Sequence, residues 1–183
     1  KADMVIPDGI GVVYGAKILK KPLYGRVTGY DLSCALLEHA GKCGMRVFLY
    51  GGKPGVAEIA AEKIHEKYNV TIAGTENGYL KDESGVPDKI RASRADLVLV
   101  CLGFPRQEYW IEENKEKTGA KVLIGAGGSI DAFAGTVKRA PVFFQKANLE
   151  WLYRLLKQPS RAKRMLELPR FAIKVITKGK RQG

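Results

Sequence analysis

Short apolar runs alternate along the chain with longer stretches that mix apolar and polar residues, and this alternation predicts the fold. Four runs rich in Val, Leu and Ile predict strands, and three of them end on glycine. The predicted strands are 45–52 (MRVFLYGG), 70–75 (VTIAGT), 95–103 (ADLVLVCLG) and 120–128 (AKVLIGAGG).

The stretches between these runs have helical character. Residues 54–68 and 105–119 predict helices that link strands, and 7–21 and 31–42 predict two more helices ahead of the first strand. Strands that alternate with helices require a parallel sheet covered on both faces. We therefore predict an α/β fold: a mostly parallel, Rossmann-like sheet with helices on both faces, plus a basic helical appendage at the C-terminal end.

The glycine-rich turns that follow the strands are the first candidate site. Ligands of parallel sheets bind beyond the carboxyl ends of the strands, where YGGKPG, CLGFPRQE and GAGGSID fall. Backbone N–H groups of such loops cradle phosphate, although tight strand-to-helix turns explain each loop equally well. Neither GGKPG nor GAGGS is a P-loop, and Ile130 breaks the G-x-G-x-x-G pattern. Convergence at one sheet edge favours substrate binding, with Gly51, Gly52, Lys53 and Gly103 as candidates.

The net charge of +12 over 183 residues is concentrated near the C-terminal end. From residue 154 onward ten Lys and Arg stand against one acid, Glu167, which indicates a segment that meets an anionic partner. After Pro169, apolar and basic residues take opposite faces of a predicted helix, which is typical of binding at a membrane surface. Packing of this stripe on the domain or on a second subunit is the alternative. The apolar face holds Phe171, Ala172, Val175 and Ile176, and the basic face holds Arg170, Lys174 and Lys178.

Several classes of protein and of site find little support in the sequence. An apolar content of 45% argues against disorder, and three cysteines without C-x-x-C spacing argue against a disulfide framework or a zinc site, which fits a reducing cytosol. No apolar run has the length of a membrane span, and no signal-peptide pattern opens the chain. The acids form no D-x-D pair and His39 and His65 have no matched ligand, so we expect neither a metal nor a cofactor.

Four polar residues at predicted helix starts have competing interpretations. For Asp31 an N-cap role is favoured, whereas for Asp8 capping and chemistry stay open. In PRQEYWI, Glu108 suits a capping role, and Gln107 would then point its amide toward the ligand edge.

Six segments together resemble the WecG/TagA/CpsF family of bacterial glycosyltransferases, in the family's order and over nearly the whole chain. They are PDGIGVV, RVTGYDL, VFLYGGKPGVAE, LGFPRQEYWI, GAGGSIDAFAGTVKRAP and LEWLYRLLKQPSRAKR. The resemblance implies transfer of a sugar from a UDP-sugar donor to a sugar on a polyprenyl pyrophosphate, with inversion of the anomeric centre and no required metal or cofactor. Within the family the likeness is greatest to the N-acetylmannosaminyltransferases of wall teichoic acid synthesis. It implies UDP-N-acetylmannosamine as donor and N-acetylglucosamine on undecaprenyl pyrophosphate as acceptor.

The resemblance also implies roles for particular residues. Asp8, in the P-D-G segment, is the implied general base, and Gln107 lies in the pocket of the family's enzymes. Arg26, within RVTGYDL, joins the expected catalytic set. The glycine-rich segment places Gly127, Gly128 and Asp131 around the nucleotide, with Asp131 accepting hydrogen bonds from uracil or ribose. The appendage arginines Arg154, Arg161 and Arg164 close over the diphosphate, and the last two stabilise departing UDP.

Residues 1–150 are therefore predicted to form the catalytic domain and residues 151–183 the appendage for site closure and membrane association. The chain begins at Lys1 and lacks the family's N-terminal strand segment, which carries Thr and Asn near the catalytic acid. We accordingly expect upstream residues to complete the pocket.

The expected partners are the UDP-sugar, the polyprenyl-linked acceptor and an anionic membrane surface, with a cytoplasmic, peripheral location on the inner face of the membrane. A homo-oligomer stays open. Nucleic acid is not expected, because the tail pairs its charge with an apolar stripe and carries no nucleic-acid-binding motif. The alternatives are transfer of another UDP-sugar in capsule, exopolysaccharide or common-antigen synthesis, or a nucleotide-binding module without turnover.

Overall fold

A computed structural model describes residues 2–137, 140–141, 143–144, 149–157 and 167–179, and the side chains of 154, 167–169, 178 and 179 fall outside that description. The chain divides into two compact units. The first contains residues 1–4 and 29–138, and the second contains residues 5–28 and 139–183. The predicted division at residue 150 into a catalytic domain and an appendage stays a prediction.

The secondary structure alternates along the first unit as the sequence predicts. The strands are β1 (Arg46–Gly51), β2 (Thr71–Glu76), β3 (Leu97–Cys101) and β4 (Val122–Gly125). The helices, in chain order, are α1 (Ile10–Ile18), α2 (Gly29–Cys43), α3 (Val56–Tyr68), α4 (Val86–Ser93), α5 (Arg106–Thr118), α6 (Ser129–Ala134), α7 (Glu150–Lys157) and α8 (Glu167–Gly179).

The four strands form one parallel sheet in the order β2-β1-β3-β4. Residue Leu97 of β3 pairs with Val47 of β1 on one side and with Val122 of β4 on the other, which fixes the register across the centre of the sheet. Every residue of β3 is buried, as is every residue of β1 after Arg46. Such continuous burial is expected when helices cover both faces of a parallel sheet. The predicted α/β class is confirmed.

Side chains alternate between the two faces of each central strand and feed two apolar clusters. On one face Val47 and Leu49 pack with residues of α2, α3 and α6. On the opposite face Phe48 and Tyr50 pack with residues of α4 and α5. The ring centroids of Tyr50 and Trp110 lie 4.9 Å apart. Burial of Val47, Leu49 and Phe48 contributes about 1.5–3 kcal/mol of hydrophobic stabilisation for each side chain, so the two clusters hold the helices on the sheet.

The structure differs from the sequence predictions at several element ends. The third and fourth strands end two to three residues before the predicted limits, at Cys101 and Gly125. The helices α4 and α6 were not predicted, because α4 is short and polar and α6 has only six residues. The predicted N-cap at Asp31 is wrong: α2 begins at Gly29, and Asp31 lies in its first turn, where a carboxylate still interacts favourably with the helix dipole.

In the second unit, α1 packs against α8. A Cβ atom added at Gly15 of α1 would lie 3.1 Å from Cε1 of Phe171 and 3.4 Å from Cγ2 of Val175. The apolar face predicted for the tail helix therefore contacts α1 through these two residues, as the packing alternative proposes. Ile173 and Ile176 of the same helix remain exposed.

Candidate active site

Three strand-to-helix turns meet at the carboxyl edge of β1, β3 and β4. Gly51 ends β1 with φ +139°, and a Cβ atom there would lie 2.4 Å from the carbonyl oxygen of Cys101 at the end of β3. Only glycine fits so close to a neighbouring strand. A Cβ atom at Gly52 would lie 3.1 Å from Cγ2 of Ile130 in α6. The glycine turns predicted to converge at one sheet edge are therefore in contact there.

Gln107 links the turn after β3 to the turn after β4 through hydrogen bonds. Its side-chain oxygen Oε1 accepts hydrogen bonds from the N–H of Gly103 at 3.2 Å and from the N–H of Gly127 at 3.0 Å. The residue is only 5% exposed. A single buried acceptor thus links the turn after β3 to the turn after β4. These two glycine N–H groups, which the sequence offered as phosphate ligands, are engaged by Gln107 in this structure.

The rest of the Gln107 side chain is also held by the protein. Its Nε2 donates to Oε1 of Glu108 at 2.9 Å. A Cβ atom at Gly125 would lie 2.6 Å from the same Nε2, so the glycine at the end of β4 leaves the space that Gln107 fills. The amide that was expected to face the ligand edge therefore bonds to Glu108. Pro105 is the N-cap of α5, and Glu108 lies in the first turn without forming a side-chain cap.

The remaining predicted nucleotide-binding residues lie around the same edge. Lys53 and Gly128 are exposed, and Asp131 is partly buried in the first turn of α6. Oδ2 of Asp131 lies 3.9 Å from the Cβ position of Gly128, so the acid stands beside the glycine pair. The main-chain oxygen of Asp131 accepts hydrogen bonds from the N–H groups of Thr136 and Val137, which fixes the end of the helix.

Cys101 lies beneath this edge at the end of β3. Burial raises the pKa of its thiol from the ordinary 9.0 to about 12, and the carboxylate of Asp131 adds to the rise. The N–H groups of Ile130 and Ser129 oppose it. A neutral thiol under the turns indicates a packing role, and no sequence motif around Cys101 predicts another role.

A second cluster of charged residues lies in the other unit and is centred on Arg26. Its Nε donates to the main-chain oxygen of Asp8 at 2.6 Å, and its Nη2 lies 3.7 Å from Oδ1 of the Asp8 carboxylate. Its Nη1 lies 2.8 Å from Oε2 of Glu150, whose side chain is only 6% exposed. The Asp8 side chain, by contrast, is 58% exposed. One guanidinium therefore joins an accessible carboxylate to a buried one.

The cluster resolves one open question and adds a residue that sequence reasoning missed. The N-cap of α1 is Gly9, with no side-chain cap hydrogen bond, so the capping interpretation of Asp8 has no support. Glu150 begins α7 and was not predicted to have a role. Its only signal in the sequence was its place four residues before Arg154, which is typical of an ordinary surface pair on a helix.

The appendage arginines are the part of the predicted site that the structure describes least. Arg154 lies in α7 with its side chain outside the description, and Arg161 and Arg164 lie outside the described residues. Within the described ranges no group of three or more His, Cys, Asp or Glu side chains is arranged to hold a metal ion. In the same ranges, no helix is both long and apolar enough to cross a bilayer.

Known proteins are similar to this chain over nearly its whole length. Residues 1–183 match the family described as the glycosyl transferase WecG/TagA/CpsF family. Two relatives bear the name N-acetylglucosaminyldiphosphoundecaprenol N-acetyl-beta-D-mannosaminyltransferase. The one from Bacillus spizizenii is 45% identical over 176 residues, which are 96% of this chain and 68% of the relative. The one from Bacillus subtilis is 42% identical over 180 residues, 98% of this chain and 70% of the relative. The chain thus belongs to the WecG/TagA/CpsF family and is a glycosyltransferase.

Proposed function

We propose that this protein transfers N-acetylmannosamine from UDP-N-acetylmannosamine to N-acetylglucosamine carried on undecaprenyl diphosphate. The observation that carries the proposal is the name shared by two relatives that are 45% and 42% identical over nearly the whole of this chain. The six segments that resemble the family support the same assignment. In wall teichoic acid synthesis this reaction builds the linkage unit.

The reaction is proposed as a single displacement with inversion. Asp8 removes the proton from the acceptor hydroxyl while that oxygen attacks the anomeric carbon and the bond from this carbon to the UDP oxygen breaks. A general base of this kind contributes about 10²–10⁴-fold to the rate. The 58% exposure of the Asp8 side chain supports the role, because an acceptor has access to it. Arg26 donates to the main-chain oxygen of Asp8 at 2.6 Å, which holds the segment that carries this carboxylate.

The glycine edge of the sheet is proposed to hold the nucleotide. Asp131 offers a carboxylate to uracil or ribose, and the glycines keep side chains away from the diphosphate. Gln107 keeps the two turns at a fixed separation through Oε1, so the surface is preorganised before the donor binds. Arg154, Arg161 and Arg164 are proposed to balance the charge that develops on departing UDP.

Two further features belong to the proposal. No metal is required, because the acids of the sequence form no D-x-D pair and the positive charge of the appendage takes that role. The enzyme acts at the inner face of the membrane, where the lipid acceptor resides. The exposed Ile173 and Ile176 and the exposed Arg170 and Lys174 of α8 support contact with an anionic surface.

A donor screen tests the proposal directly. The full chain is incubated with N-acetylglucosaminyl diphospholipid and one of several UDP-sugars, with and without EDTA, and the lipid product is identified by its mass. Transfer from UDP-N-acetylmannosamine that persists in EDTA is expected. Preferential transfer from another UDP-sugar would replace the donor, and tight UDP binding without any transfer would favour a nucleotide-binding module.

A further inference from the structure

An apolar groove runs along α1 in the second unit. It has a volume of about 240 Å³ and lies between α1 and α8, with Trp151 of α7 contributing to its lining. Tyr14 and Ile18 line it from α1, and Phe171, Ala172 and Val175 line it from α8. Tyr14, Ile18 and Phe171 are 57%, 53% and 40% exposed, so the groove is open to solvent and bordered by large apolar side chains.

The size of the groove suits a narrow hydrocarbon chain. A protein cavity of about 150 Å³ accommodates benzene, so 240 Å³ takes roughly ten carbon atoms, or two isoprene units. A helix with its side chains is about 10–12 Å wide and needs a broader surface. The lining is almost entirely apolar, which fits a ligand segment without polar groups.

The position of the groove relates it to the proposed chemistry. Ile10 lines one end of it, and only one residue, Gly9, separates Ile10 from Asp8. Two residues of chain span at most about 7 Å. A chain that lies in the groove with its head group at the Ile10 end would place that head group near the proposed base. The acceptor of the proposed reaction has this form, because its sugar is joined through a diphosphate to a long hydrocarbon tail.

Basic residues border the groove on both helices. Three residues that line it are each preceded by an exposed cation: Lys17 before Ile18, Arg170 before Phe171 and Lys174 before Val175. A cationic border is a poor match for a neutral apolar partner. It matches a lipid whose diphosphate is anionic and whose remaining tail lies in a leaflet that contains anionic lipids.

We propose that the groove between α1 and α8 binds the first isoprene units of the polyprenyl tail of the acceptor. This inference rests on the proposed function and adds a subsite to it. Tail binding in the groove would orient the acceptor and select lipid-linked sugars over free ones. The rest of the tail would remain in the membrane.

The test uses farnesyl diphosphate as a short soluble probe. Binding is measured by calorimetry on the full chain with UDP saturating, so that the nucleotide site is occupied. Ala172→Phe fills the groove, and Ile173→Phe adds the same ring at a neighbouring position that is 61% exposed and does not line it. Ala172→Phe should weaken binding at least tenfold and Ile173→Phe less than twofold. Equal affinities for wild type and Ala172→Phe, or equal losses in both variants, would overturn the proposal.

A kinetic comparison separates this inference from the proposed function. Ala172→Phe should raise KM at least tenfold for an acceptor with a long prenyl tail and leave KM unchanged for one whose tail is replaced by methyl, with kcat preserved for both. If Ala172→Phe folds poorly by circular dichroism, Tyr14→Ser at the exposed wall should show the same pattern. Equal KM changes for both acceptors would overturn the tail subsite. A loss of liposome binding with farnesyl diphosphate affinity intact would assign these residues to membrane contact instead. If the wild type transfers to neither acceptor, the proposed function fails, while the calorimetry still tests the groove.

Discussion

Arg26 and Glu150 form a largely buried ion pair, with Nη1 of the arginine 2.8 Å from Oε2 of the glutamate. The same guanidinium donates to the main-chain oxygen of Asp8 at 2.6 Å. Glu150 therefore fixes the arginine that in turn holds the segment carrying the proposed base. It acts through Arg26, which makes it a positioning residue.

Glu150→Gln should lower stability and turnover together. Loss of the buried carboxylate leaves the Arg26 charge without this counterion, and breaking a buried pair costs about 3–5 kcal/mol. Urea unfolding should report a loss of about 3 kcal/mol, and kcat should fall at least tenfold at a temperature where the variant is folded, with UDP affinity retained. Glu38→Gln, which removes the exposed helical pair with Lys42, is the matched control and should leave both unchanged. Unaltered kcat in folded Glu150→Gln would show that the pair is only structural.

Exchanging the side chains of Gln107 and Glu108 tests whether Gln107 acts by linking the two glycine turns. Gln107→Leu removes the acceptor for the N–H groups of Gly103 and Gly127, so KM for the UDP-sugar should rise at least tenfold. Gln107→Glu keeps an acceptor but places a second carboxylate against Glu108. Adding Glu108→Gln restores a donor opposite it, so the double variant should regain most of the lost affinity. If the double variant binds donor no better than Gln107→Leu, the Gln107 amide itself contacts the substrate.

Gln107 and Glu150 show which parts of the site the sequence can predict and which it cannot. The sheet and its glycine turns follow from local patterns, since buried strands and the turns after them are short-range features. The partners of Gln107 lie four residues back in one turn and twenty residues forward in another, and only the packing of β3 beside β4 brings them together. Glu150 is further still from Arg26 in sequence. A buried ion pair of that separation has no periodicity to reveal it, and its glutamate resembled a surface residue of a basic helix.

Asp8→Asn tests the proposed base. The amide cannot accept the proton, so kcat should fall about 10²–10⁴-fold, while UDP affinity stays within twofold because the nucleotide is assigned to other residues. Single-turnover transfer and equilibrium UDP binding measure the two quantities on the same preparation. Turnover close to that of wild type would remove Asp8 from the mechanism.

The cysteines should differ sharply in reactivity. The Cys101 thiol is buried and its pKa is raised to about 12, so at pH 8 only about 10⁻⁴ of it is the reactive thiolate. Cys43 is exposed. Iodoacetamide should modify Cys43 in the native protein and reach Cys101 only in denaturant, as peptide mass spectrometry would report. Native labelling of Cys101 at a rate comparable to Cys43 would contradict the packing around β3.

The raised pKa of Cys101 also predicts a pH dependence of stability. Because folding raises this pKa above its ordinary 9.0, the stability that the protonated thiol contributes is present below pH 9 and is lost as pH rises toward 12.

If the enzyme transfers N-acetylmannosamine with inversion onto a lipid-linked N-acetylglucosamine, the product has a defined anomeric configuration that NMR can read. Donor UDP-N-acetylmannosamine labelled with ¹³C at the anomeric carbon and linked α is supplied with the diphospholipid acceptor, and the lipid product is examined by NMR. We expect a single β-linked N-acetylmannosaminyl residue on N-acetylglucosamine. An α-linked product, or bound donor with no labelled lipid, would contradict it.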